Sequence, residues 1–120
     1  MKLVDYLETF IHESDGSCSA TYHAGDENEF SEILEARDIY PNGYAWEFFF
    51  MKLLQKAQPD LLNHSGFDSE AEYFVIFFEE KTRLDEFVDV VGKALPDLKA
   101  FEAFVATLDH KEYEAYDMGE

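Results

Sequence analysis

The chain has 120 residues and a mass of 13.9 kDa, the size of one domain. Hydrophobic residues make up 47% and aromatic residues 17%, with 12 Phe and 7 Tyr, which excludes a disordered tail even though 30% of residues are charged. Twenty-seven Asp and Glu against nine Lys and Arg give a formal net charge of −18, which argues against direct binding to nucleic acid or to an anionic membrane, because both reward Lys and Arg.

The opening is ambiguous in period. Leu3, Leu7, Phe10 and Ile11 match a helical face, while Val4, Tyr6 and Phe10 suit a strand. The turn signal Ser14-Asp15-Gly16-Ser17 favours extended structure from Thr9, and Cys18, Ala20 and Tyr22 alternate with Ser19, Thr21 and His23. The expectation is a strand pair, residues 10–13 with 18–23. A polar, acidic loop over residues 25–29 precedes one or two helical turns marked by Phe30, Ile33 and Leu34, and residues 38–42 break them.

Asn42-Gly43 opens the next helix, expected over residues 44–57. Trp46, Phe49, Phe50, Leu53, Leu54 and Ala57 recur at three- and four-residue intervals, and Phe48 and Met51 carry apolar surface almost around the rod. Such a helix must be covered on most sides and is read as central, lying against a sheet. Pro59 ends it. Residues 65–68 and 72–78 form a second strand pair around Ser69-Glu70-Ala71, and the run from Tyr73 to Phe78 predicts a central strand buried on both faces.

Leu84, Phe87, Val88, Val91, Ala94 and Leu95 then make one amphipathic stripe, with Thr82 as its expected N-cap. Beyond Pro96-Asp97, a second stripe runs through Leu98, Phe101, Phe104, Val105 and Leu108. Residues 112–120 read as a short acidic tail. The order predicts an α+β fold in a single domain over residues 1–120. It has an antiparallel sheet of about four strands, with three or more helices packed mainly on one face.

Signals for chemistry are sparse. The single Cys, Cys18, excludes an intramolecular disulfide framework and fits a reducing compartment. Its neighbours are Ser, Ala and Thr in a negative field that raises a thiol's pKa, so it reads as a small buried strand residue. His12, His23, His64 and His110 form no metal-binding motif, although His12 and His23 fall on strands expected to pair. Asp26-Glu27-Asn28-Glu29 offers oxygens without the twelve-residue loop that calcium needs. No phosphate loop or nucleophile elbow occurs, so no catalytic residue, cofactor or metal is assigned. No secretory signal is visible, and the longest apolar run, Phe48-Phe49-Phe50-Met51, is far too short to span a bilayer. The expected location is cytoplasmic.

The charge points to a partner. A folded chain of this mass exposes roughly 6,700 Å², so evenly spread charge puts about two net negatives in a standard contact of about 800 Å². Asp26, Glu27, Glu29, Glu32 and Glu35 concentrate it further and are the candidate contact residues for a basic protein; residues 109–117 are the second choice.

Two motifs carry a resemblance. Asn42-Gly43-Tyr44-Ala45-Trp46-Glu47 opens the central helix, and about twenty residues later comes Gly66-Phe67-Asp68-Ser69-Glu70-Ala71-Glu72-Tyr73-Phe74, with a helix starting near Leu84. Over residues 42–108 the chain resembles the bacterial polymorphic-toxin immunity proteins of immunity protein family 51. It departs from that pattern at Ala45, where an acid is expected, and at Ser69, where Pro is common. The resemblance implies a small cytoplasmic protein that binds and neutralises a cognate toxin, with no catalytic activity and no cofactor. Read as structure, Asn42 caps the helix and Gly43 suits a tight entry. On the same reading Tyr44 and Trp46 belong to the core or its edge, Phe67 and Phe74 are buried in the sheet, and Asp68 and Glu70 organise a turn. The competing readings are a small acidic adaptor whose charge serves solubility, and an enzyme with a carboxylate of raised pKa in a deep cleft.

Overall fold

The computed structural model describes residues 2–12 and 14–117. The chain enters through a 3₁₀ turn, Leu3–Tyr6, fastened by the Lys2 N–H donating to Asp5 Oδ2 at 2.8 Å and anchored by fully buried Leu3. Strand β1 follows over Leu7–Ile11. It starts three residues before the expected position, because the 3₁₀ turn hands the chain over already extended; residue 13 lies outside the described residues. Asp15 Oδ1 accepts from both the backbone and the hydroxyl of Ser17, and Gly16 takes φ +78°, where a side chain is strained. Strand β2, Cys18–Tyr22, returns antiparallel with Leu7 opposite Tyr22 and Ile11 opposite Cys18. His12 and His23 therefore sit at opposite ends of the hairpin: His12 N–H bonds Ser17 O, while His23 follows Tyr22.

Helices α1 (Glu29–Glu35), α2 (Gly43–Ala57) and the short α3 (Asp60–Asn63) follow. The short α3 was not anticipated; it forms immediately after Pro59, which also bounds α2. Strands β3 (Ser65–Phe67) and β4 (Phe74–Phe78) complete an antiparallel sheet of order β1-β2-β4-β3. Helices α4 (Lys81–Ala94), α5 (Leu98–Ala106) and α6 (His110–Asp117) close the chain. This is the expected α+β arrangement. Helix α4 is preceded by Glu80, not Thr82, which falls inside its first turn; Asp97 caps α5 by accepting from Ala100 N–H at 2.8 Å. The expected acidic tail is largely α6, whose Tyr113 packs on Phe48 and Phe49 of α2.

The core lies between one face of the sheet and the helices. Cys18, Ala20 and Tyr22 of β2 and Phe74, Ile76 and Phe78 of β4 point into it. Strand β4 is central but not buried on both faces, since Phe77 is 45% exposed. Trp46 is the hub. Its ring lies 4.1 Å from Tyr22 and 5.3 Å from Phe101 in a near-parallel stack, with Phe50 at 5.8 Å and Phe49 edge-on at 6.0 Å. Each such pair contributes about 0.5–1.5 kcal/mol beyond area burial. Its indole N–H finds no hydrogen-bond partner among the described residues. Tyr44, one turn edge away, is 41% exposed and does not belong to this core.

The two sequence motifs meet. Asn42 Oδ1 accepts from Ala45 N–H at 2.8 Å, and Gly43 N–H donates to Ala71 O at 2.8 Å. A Cβ on Gly43 would stand 1.8 Å from Glu70 O and 2.3 Å from Tyr73 O. The helix start is thus pressed onto the backbone of the β3–β4 turn. The turn itself is closed by Glu70 and Tyr73 through their backbones, with Ser69 Oγ accepting from Val75 N–H at 3.1 Å; Ser69, not the Asp68 side chain, supplies the side-chain bond. The same turn receives Gly25 N–H on Glu72 O at 2.9 Å.

Gly43→Ala is expected to cost about 3 kcal/mol or more, because rigid backbone cannot yield to the new methyl. Gly25→Ala, whose Cβ meets Glu72 only at 3.8 Å, is expected to change stability by less than about 1 kcal/mol. Urea denaturation of the two variants checks the contrast.

Candidate functional site

The acidic segment after β2 is held by one residue. Asn28 Oδ1 accepts from the N–H groups of Phe30 and Ser31, and its Nδ2 donates to Tyr22 OH at 2.9 Å, tying the start of α1 to the sheet. Phe30, Ser31 and Leu34 are buried, which turns Glu32 and Glu35 to the outside. The helix ends in a left-handed residue: Asp38 has φ 60°, its N–H donates to Glu35 O at 3.1 Å, and Ile39 N–H donates to Leu34 O at 3.0 Å. This double closure satisfies the last carbonyls and fits Asp, which tolerates the conformation better than most residues.

The closure forms a groove of about 380 Å³. Glu27, Glu35 and Asp38 line it together with Gly25, Tyr40 and Pro41. Tyr40 is 75% exposed. Of the five expected contact residues, Glu27 and Glu35 are brought together here. Asp26 and Glu32 are exposed beside them. Glu29 is partly covered and accepts from Tyr6 OH at 2.8 Å. Its carboxyl is held below the usual range, first by its own backbone N–H and then by the Tyr6 hydroxyl. Asp38 and Tyr40 were missed as site residues; the only sequence sign was an aromatic residue next to Pro41 in a segment read as a break. In the second-choice segment, Glu112 is ion-paired with Lys52, Asp109 caps Lys111 N–H, and Tyr116 OH donates to Glu47, so much of that stretch holds α6 onto α2.

Other groups contribute little chemistry. Among the described residues no group of three or more His, Cys, Asp and Glu is arranged to hold a metal. Cys18 is buried with Sγ 3.7 Å from Phe78 O, and burial, then the Asp85 charge, pushes its thiol pKa up, away from a reactive thiolate. Burial likewise pushes the Tyr22 phenol well above its usual value. Glu47 has a carboxyl raised by burial, opposed by a bond from Ser69. Among the described residues no helix is long and apolar enough to cross a membrane.

Residues 9–110 match the family model of immunity protein 51, and the chain belongs to that family. The match reaches back through the β1–β2 hairpin and α1, beyond the segment that carried the resemblance. No curated protein and no solved structure matches the chain.

The raised Glu47 carboxyl has a definite sign. The folded state holds this proton more tightly than the unfolded chain, so the penalty is present above the shifted pKa and vanishes below the ordinary glutamic value. Glu47→Gln, which still accepts from Tyr116 OH, is expected to melt higher than the parent at neutral pH. The gap should close as the pH falls to about 4. Melting temperatures of the two proteins against pH check this.

Proposed function

We infer, from membership of the immunity protein 51 family, that this chain binds and neutralises a cognate bacterial toxin, in the cytoplasm of the cell that makes both. The family match over residues 9–110 carries the reading. The charge supports the chemistry of the partner. A surface of 6886 Å² bearing −18 repels acidic partners and attracts a basic one. A toxin that acts on nucleic acid needs a basic groove, and an anionic domain laid over such a groove blocks substrate entry without any turnover of its own.

On this reading the groove of Glu27, Glu35 and Asp38 receives Lys or Arg side chains of the toxin, with Asp26, Glu29 and Glu32 adding to its field. Tyr40 is the amphipathic anchor of the type that dominates protein contacts. Double reversal of Glu27 and Glu35 to Lys is expected to weaken toxin binding at least about tenfold, mostly by slower association at low salt, with the circular dichroism unchanged. Growth of cells expressing the toxin encoded next to this gene, with and without the chain, tests the function itself. Equal killing in both cultures overturns it. If the reversals cost only solubility, the solubility-adaptor reading replaces the acidic-contact reading.

A further inference from the structure

The helices that touch β2 and β4 pack on one face of the sheet, and the opposite face is open. Register places its side chains in rows. Phe10, Ser19, Phe77 and Gly66 stand abreast on β1, β2, β4 and β3; Glu8, Thr21 and Val75 form the next row, closed by Asp68, whose N–H donates to Val75 O at 3.0 Å. Phe10 is 50% and Phe77 is 45% exposed. The Phe77 ring lies across β3, so that a Cβ on Gly66 would come within 2.3 Å of it. Phe10 and Phe77, on strands about 10 Å apart, therefore stand on either side of Ser19, with Thr21 in the next row.

Charge around this trough is mainly negative. Residues 3–36 and 57–80, which contain all four strands, hold fifteen Asp and Glu and no Lys or Arg. Glu8, whose Oε2 lies 3.2 Å from His23 Nε2, and Asp68 stand at the two sides of the sheet. At one corner, Phe77, Glu79 and Glu80 line a depression of about 290 Å³. Arg83, which also borders it, is engaged by Asp60 at 3.1 Å and Glu86 at 3.6 Å.

The occupant follows from area and charge. Four strands at about 4.8 Å and five residues at about 3.3 Å give roughly 300 Å², well short of the roughly 800 Å² that each partner of a stable complex contributes. A partner must therefore extend onto the rim, and the rim is anionic. A second copy would bring Glu8, Asp68 and Glu79 against their own kind. We propose that the toxin docks across this open sheet face, seating an apolar side chain between Phe10 and Phe77 and flanking Lys or Arg side chains on Glu8, Asp68 and Glu79. The proposal rests on the immunity reading above and adds a contact face distinct from the α1 groove, the two meeting at the loop that bonds Gly25 to Glu72.

The test titrates the purified chain against the purified catalytic domain of the toxin encoded next to this gene, by calorimetry and stopped flow. Phe10→Ser with Phe77→Ser is expected to lose about 100-fold in affinity through faster dissociation. Glu8→Lys with Asp68→Lys is expected to slow association and flatten its salt dependence. Thr21→Arg, which removes no core contact and fills the trough, is expected to abolish binding and guards against a folding loss in the Phe pair. Binding by all folded variants within twofold of the parent overturns the sheet-face proposal and leaves the immunity reading standing. A parent chain that does not bind the toxin overturns both. A parent that sediments as a dimer, which Phe10→Ser with Phe77→Ser dissociates while toxin binding is unchanged, assigns the face to a second copy and also overturns the proposal.

Discussion

The carbonyl oxygens of Glu70 and Tyr73 leave room for a hydrogen atom at residue 43 and for nothing larger, and the rest of the architecture follows from that contact. A helix start that must sit on a strand turn has its axis and depth set before any side chain packs. The free N–H of Gly43 finds Ala71 O, so the close approach also satisfies one of the helix's unpaired donors. With α2 held at that depth, Trp46 reaches Tyr22 on the sheet and Phe101 on α5. The two segments that carry the resemblance are thus two halves of one joint.

Periodicity made the helices legible. The stripes of α2, α4 and α5 follow the 3.6-residue repeat, and Asn42 and Asp97 cap where short polar residues are expected to cap. Composition misled at the end of the chain. Residues 112–120 look like solvated tail because four of the nine are acids, yet Tyr113 and Tyr116, three residues apart, lay α6 on Phe48. The β4 run misled in a different way. An unbroken apolar strand is the mark of burial on both faces, and here one side leaves Val75 half-buried and Phe77 exposed.

The candidate site was half legible. A run of acids predicts a charged face, and Glu27 and Glu35 do meet. Asp38 and Tyr40 join them only because α1 stops in a left-handed turn, and no spacing rule anticipates where a chain emerges from such a turn. Glu29 is partly covered for a similar reason. Its place at the first helical position suits a carboxylate, and Tyr6, twenty-three residues earlier, happens to lie above it.

The segregation of cations has a consequence for how the molecule moves. All nine Lys and Arg lie outside residues 3–36 and 57–80, so those stretches carry −15 and the remainder only −3. Such a chain is an electric dipole as well as a polyanion. In the field of a cationic body it experiences a torque, and it turns its strand-bearing side forward while still separated by solvent. Orientation then precedes touch, and the search for the productive pose shrinks from all rotations to a few.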